Sequence, residues 1–192
     1  MRTKEMEYFT VFREISKVIT STLEPKEVLK SIVEHVTEAT GAKGSSLRLL
    51  DEKRYTLELV ASHGLSDTYL RKGPVDAEKS AAETLQGKVV PVFDATTDPR
   101  VEYPKEAKAE GIASILSVPL IVREKVIGVL RIYTDTPHVF MEEEIEFVSA
   151  LADQSAIAIE NARLHAQVKE SYTTLMNDVY HWFEFRERQA SP

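Results

Sequence analysis

The chain has 192 residues, 43% hydrophobic and 29% charged, the balance of an ordinary globular domain long enough to bury a core unaided. It has no cysteine, which excludes disulfides, thiolate zinc sites, cysteine nucleophiles and thioether-linked cofactors. Its formal charge is −7, with the acids spread along the chain and no basic stripe, which argues against direct binding of DNA or RNA.

The first residues, "MRTKEMEYFTVFREI", interleave charges with apolar side chains and do not read as a signal peptide. Tyr8, Phe12, Ile15 and Ile19 recur at spacings of four, three and four, so residues 4 to 21 are predicted to form an amphipathic helix. A second helix begins near Pro25, which suits a first turn. It presents Val28, Leu29, Ile32, Val33 and Val36 on one face and ends at Gly41. Two strands are predicted next, 45–52 and 56–63, separated by Lys53, Arg54 and Tyr55, with a turn at Gly64. Residues 65–111 are less regular. They hold a short helix in "KSAAETLQGK", a strand in "VVPVFDA", the polar run "TTDPRVEYP" and a short helix in "KEAKAEG".

The stretch "SILSVPLIVREKVIGVLRIY", residues 114 to 133, is apolar and long enough to suggest a membrane span. Pro119 and the charges Arg123, Glu124 and Lys125 argue otherwise, since each Arg or Lys at mid-bilayer costs roughly 2.5 to 3.5 kcal/mol. Two β-branched runs, 112–122 and 126–134, flank "REK" and read as a hairpin. Both runs are almost continuously apolar, the pattern of strands covered on both faces at the centre of a sheet. Gly128 then marks a close approach or a bend.

From Glu142 a helical pattern runs to about Arg186 without glycine or proline. Beyond Leu164 it narrows to His165, Val168, Tyr172, Leu175, Val179 and Trp182, a seam of alternating three and four spacing that reads as a helix–helix interface. The fold class is therefore α+β: an antiparallel sheet, terminal helices on one face, and the irregular middle segment on the other enclosing a pocket.

Several stretches resemble the GAF domain family, the sensory modules of signalling proteins. They are "EVLKSIVEHVTEATGAKGSSLRLLD", "LELVASHGL", "DATTDPR", "GIASILSVPLIVREKVIGVLRIY" and "FMEEEIEFVSALADQSAIAIENARL". The most specific are Ser117-Val118-Pro119-Leu120, then Ile127-Gly128-Val129-Leu130, then "AIENARL" ending at Leu164. The resemblance covers residues 7 to 165. It divides the chain into a GAF domain with its N-terminal helix, 1–165, and a helical extension, 166–192, that would dimerise or signal. It implies a GAF-like antiparallel sheet, terminal helices on one face, a ligand cavity on the other, and regulation more often than catalysis. Family members that attach bilins or reduce methionine sulfoxide use cysteine, which is absent here. The asparagine–lysine–phenylalanine–aspartate–glutamate motif of the cyclic-nucleotide subclass does not occur. Haem needs an axial ligand, and the histidines at 35, 63, 138, 165 and 181 are scattered. His181 precedes "WFEF" rather than the glutamate of a phosphorylated histidine box.

The candidate ligand-binding residues are Arg48, His63, Phe93, Asp94, Tyr103, Ser117 and Arg131. Arg48 and Arg131 lie in apolar strands, where a charge must be paired; each either binds an anionic ligand or closes on an acid such as Glu58, and the structural role is favoured. His63 reads as a capped or solvated residue unless companions gather. Either Asp94, Asp98 and Arg100 stand at a pocket mouth, or Asp98 before Pro99 simply builds a turn. Phe93 lines a cavity or fills the core, and Tyr103 lines a cavity or rings the surface. No serine–histidine–aspartate pattern or phosphate loop occurs, so neither a catalytic residue nor a metal site is expected.

The tail "VYHWFEF", 179 to 185, either meets a partner or folds back on Tyr8, Phe9 or Phe12. The expected dimer interface comprises Tyr8, Phe12, Ile15, Val168, Tyr172, Leu175, Val179 and Trp182. The resulting expectation is a cytoplasmic homodimeric regulatory module, away from membranes and nucleic acid. It would bind an unidentified small molecule and signal to an output domain or downstream protein; no cofactor is assigned. The alternative is a ligand-free dimerisation or docking domain whose pocket is filled by side chains.

Overall fold

A computed structural model of the chain describes the backbone of residues 2–21, 25–73 and 75–190, and the side chains of residues 6, 8–17, 26–73 and 75–177. In chain order the elements are α1 (Arg2–Ser21), α2 (Pro25–Thr40), β1 (Gly44–Asp51), β2 (Thr56–His63), α3 (Asp67–Leu70), β3 (Val75–Asp76), α4 (Ala77–Leu85), β4 (Val90–Val92), α5 (Pro104–Glu110), β5 (Ser114–Val122), β6 (Lys125–Thr134) and α6 (Glu142–Ala190). The chain divides into two compact units, residues 1–158 and 159–192.

One antiparallel sheet has the strand order β3-β2-β1-β6-β5-β4. The membrane-like segment is thus the β5–β6 hairpin, and β6 lies in the middle of the sheet against β1. The turn is tighter than expected. Only Arg123 and Glu124 form it, both at positive φ (47° and 68°), while Lys125 already pairs with Val122. Two left-handed residues in a two-residue loop match the twist of the flanking strands, a conformation that glycine and asparagine adopt more easily than arginine or glutamate.

Register decides what each face carries. Leu47 stands opposite Leu130, Val118 opposite Leu130 and Leu116 opposite Ile132, so these apolar side chains share one face. Ser45, on the same face, donates to the Val33 carbonyl (2.7 Å) and accepts from Thr37 (2.9 Å), which ties α2 to β1. α1 packs along α2. Its Tyr8 stacks on Phe147 of α6 with centroids 4.0 Å apart, so the first turns of α6 join the same helical layer. The opposite face carries Ser46, Arg48, Arg131, Tyr133 and Ser117, and residues 65–111 cover it.

Within this cover α3 and β3 were not expected from the sequence. Four and two residues are too short to show a period. α3 is defined instead by its N-cap Ser66, which accepts from the Tyr69 amide. Val75 of β3 and Ala81 of α4 pack with Leu57 and Val129.

The rest of α6, residues 159–190, forms the second unit. Val168, Tyr172 and Leu175 are each more than 60% exposed there. Ile15, by contrast, is fully buried within the first unit. It has no surface to offer a second copy, which corrects its place in the expected interface. Val179 and Trp182 lie outside the described side chains. No helix among the described residues is long and apolar enough to cross a membrane.

A Cβ on Gly128 would run into the backbone oxygen of Arg48 and approach the Leu49 Cα at 3.1 Å. Gly128→Ala is therefore expected to cost about 3 kcal/mol in denaturant unfolding, since backbone atoms cannot yield. Glu124→Gly should gain about 1 kcal/mol by relieving the left-handed turn. Unchanged midpoints in both variants would contradict this account of the hairpin.

Candidate functional site

A cleft opens between the helix-free face of the sheet and the cover, with about 30 Å³ of free space. That is room for one or a few water-sized groups. The floor comes from the central strands through Ile115, Ser117 and Arg131, and the cover contributes Tyr69, Lys72 and Tyr103. Gly73 lets Tyr103 lie close, since a Cβ there would sit 2.9 Å from the tyrosine hydroxyl.

Arg131 is 8% exposed. Its Nε donates to the Ser117 hydroxyl at 3.0 Å and its Nη2 to the Ser80 carbonyl of α4. Arg48, at 4% exposure, donates from Nη1 to the Leu57 carbonyl at 3.1 Å and reaches the Tyr133 hydroxyl, which lies 2.8 Å from that of Ser46. Neither arginine has a carboxylate within ion-pair distance among the described residues. The expected partner Glu58 is exposed and pairs with Arg54 instead (3.8 Å). The structural reading of the two arginines thus holds only in part: hydrogen bonds anchor them, but no acid neutralises them.

Lys72 adds a third cation. Its Nζ donates to the Tyr69 carbonyl at 3.2 Å and sits 3.5 Å from the centre of the Tyr69 ring. Burial, then the charges of Arg48 and Arg131, push its pKa down to about 7, against a weaker pull from Glu106 and Glu110. Burial also raises the pKa of the Tyr69 and Tyr103 hydroxyls, which stay neutral. Burial lowers that of Arg48, well short of discharging a guanidinium.

Three of the acids near the cleft are engaged by other donors, while Glu106 acts on Lys72. Glu102 accepts from the Asp76 amide (2.9 Å), and Glu110 accepts from the Ser66 amide (2.8 Å) and hydroxyl, tying α5 to the start of α3. Asp98 grips Arg100 through Nε (2.9 Å) and Nη2 (2.6 Å).

Of the residues singled out from the sequence, Tyr103, Ser117 and Arg131 line this cleft, and Arg48 stands behind it. His63 does not join them. It pairs with Ser45, which faces α2, so it lies on the helical side. Phe93 and Asp94 border a separate outer groove with Thr96 and Lys108. Phe93 is 56% exposed, so it fills no core. Asp94 closes its own turn, accepting from the Thr96 amide (2.8 Å) and hydroxyl (2.7 Å) and from the Thr97 hydroxyl (2.8 Å). These bonds, those of Thr96 first, hold its carboxyl below the usual range. Tyr69 and Lys72 were missed. Nothing in "DTYLRKG" shows that the cover folds them inward. No cluster of potential metal ligands occurs among the described residues.

The model of the GAF domain family matches residues 22–160, and the chain belongs to the GAF domain family. No curated protein matches it in sequence. Among solved structures, it resembles the GAF domain of a phosphoenolpyruvate-protein phosphotransferase from Coxiella burnetii. The identity is 24% and the TM-score 0.76, over 84% of this chain and 98% of that one. The corresponding Acinetobacter domain gives 24% identity and a TM-score of 0.70 over 83% and 97%. Free methionine-R-sulfoxide reductase from Neisseria meningitidis, solved with its substrate, gives 20% and 0.70 over 82% and 91%. At these identities the likeness carries the fold. GAF domains are typically sensory or regulatory modules of signalling proteins.

A lysine whose folded pKa lies below its unfolded value binds fewer protons folded than unfolded, so stability rises with pH between the two values. Lys72 is expected to destabilise the fold fully below about pH 7, and its cost should fade as pH climbs from there toward 10.5. Lys72→Met should thus be more stable than wild type by about 2 kcal/mol near pH 6 after allowance for solvent screening, with the gap closing above neutrality. Parallel pH-dependent unfolding curves for the two proteins would contradict this.

Proposed function

We propose that the chain is a non-catalytic sensory or regulatory module that binds a small molecule in the cleft under residues 65–111 and signals as a homodimer in the cytoplasm. The observation that carries the reading is Arg131, a charge nine-tenths buried at the cleft floor with no acid in ion-pair contact among the described residues. A core built for stability alone is better served by an apolar side chain there. A ligand-binding core has a use for the charge. In the cover, β3 and β4 pair with β2 and β5, while α3 and α5 are held over the cleft by side-chain contacts alone.

Signalling requires the ligand to favour one packing of the terminal helices over another. The stripe of Val168, Tyr172 and Leu175, exposed on a helix continuous with the one Tyr8 stacks on, supports dimerisation through residues 166–192. An output domain or a downstream protein would read the change. The second reading is a ligand-free dimerisation domain. Tyr69, Lys72 and Tyr103 favour it by occupying most of the space over the sheet, leaving a cleft too small for a bilin, a haem or a cyclic nucleotide.

Native mass spectrometry of the freshly purified protein separates the two. A dimer that carries additional mass is expected, and deletion of residues 166–192 should yield monomers that keep the added mass. A truncated protein that remains dimeric contradicts the helical seam. An apo dimer that no small molecule stabilises supports the ligand-free reading instead.

A further inference from the structure

The charges around the cleft narrow the chemistry of its occupant. Arg131 has five N–H groups and gives two to Ser117 and Ser80. The other three meet no acceptor among the described residues. Lys72 gives one of its three to the Tyr69 carbonyl. Arg48 stands behind them, close enough that its charge and that of Arg131 both act on the lysine.

Facing this group from the cover are Glu106 and Glu110 of α5, Glu102, Tyr69 and Tyr103; from the sheet comes Tyr133. Glu110 is committed to Ser66, Glu102 to the Asp76 amide, and the tyrosines carry no charge. Arg100, on the cleft wall, is already neutralised by Asp98. Glu106 and Glu110 act on Lys72 from a distance, more weakly than the two arginines do. The buried end therefore stays cationic on balance, with no carboxylate in ion-pair contact among the described residues, and it offers open donors. Like charges gathered out of water are unfavourable, and an anion seated among them reverses the sign of that interaction. The free space of about 30 Å³ admits only a small group, and a guanidinium edge matches a planar carboxylate in fork geometry.

We propose that the cleft takes a small carboxylate, its oxygens shared between the open N–H groups of Arg131 and the Lys72 ammonium, with the rings of Tyr69 and Tyr103 beside its short carbon end. This rests on the reading that the cleft is the ligand site. Arg48 adds long-range attraction without touching the ligand. Binding is coupled to protonation of Lys72, so it tightens as pH falls toward the range in which the carboxylate itself remains ionised.

The test uses the full chain in a buffer free of competing small anions. Acetate and lactate are titrated by calorimetry and followed by thermal melting, with inorganic phosphate as a second anion and acetamide as the uncharged control. A saturable response to the carboxylates is expected, with a dissociation constant on the order of 1 mM for so few atoms. Affinity should drop about tenfold from about pH 6 to about pH 8.5 as the lysine discharges. Arg131→Gln should abolish the response. Lys72→Met, which leaves the strands untouched, should weaken it and remove its pH dependence, so the test survives if the arginine variant does not fold. Equal response to acetamide, response to phosphate alone, or unaltered binding in Lys72→Met overturns the carboxylate assignment. If the anions fail while an uncharged molecule co-purifies in native mass spectrometry, the assignment falls and the sensory reading stands. If no molecule binds in either experiment, both fall.

Discussion

The close approach of Gly128 to the Arg48 carbonyl is the contact on which the arrangement of the sheet depends. It lets β6 lie flush against β1, which joins the β1–β2 and β5–β6 hairpins into one surface. It also fixes the register that puts Ser46 opposite Arg131 and Ser117 opposite Arg131. A slip of one residue would turn Arg131 into the helical layer and bring Leu130 and Ile132 out under the cover. The chemistry of the cleft is thus set by a position that carries no side chain.

Much of this frame was legible in the amino-acid pattern. Val28, Leu29, Ile32, Val33 and Val36 announce α2, Pro119 and the flanking valines announce β5, and the uninterrupted run from Glu142 announces α6. Long elements repeat their period often enough to be read. Arg48 and Arg131 were legible as anomalies for the same reason, since a charge inside an apolar strand needs a tertiary explanation. The cover was not legible in that way. α3 and β3 are too short to have a period, and Lys72 looks like any loop lysine until Tyr69 and Tyr103 fold around it. His63 and Phe93 misled in another manner: pairing with Ser45 decides the face of one, and the other projects outward just after β4 ends.

The two arginines also separate what stabilises the fold from what the fold is for. Each satisfies its desolvation in part through neutral acceptors: Ser117, Ser80 and the Leu57 carbonyl. Such bonds offset the loss of water without cancelling charge. Elsewhere the protein brings acids to bases readily, as in the Asp98–Arg100 fork and the exposed Lys125–Glu52 pair. Carboxylates are abundant, yet among the described residues none makes an ion pair with the three cations at the cleft, and Glu106 and Glu110 act on Lys72 only from a distance. A net-negative chain that keeps one buried region positive creates a local potential opposite to its overall field.

Glu110 joins α5 to the start of α3 through the backbone and hydroxyl of Ser66, while the rest of the cover is attached to the sheet by the β3–β2 and β4–β5 pairings and by the Arg131 bond to the Ser80 carbonyl. α3 and α5 themselves take no part in the strand ladders. They can therefore lift together while β3 and β4 stay paired to β2 and β5, an opening cheaper than global unfolding. With so little free space beneath them, entry to the cleft would wait on that opening. Association kinetics would then saturate at the opening rate as solute concentration rises, and residence time would be governed by how often Glu110 lets go.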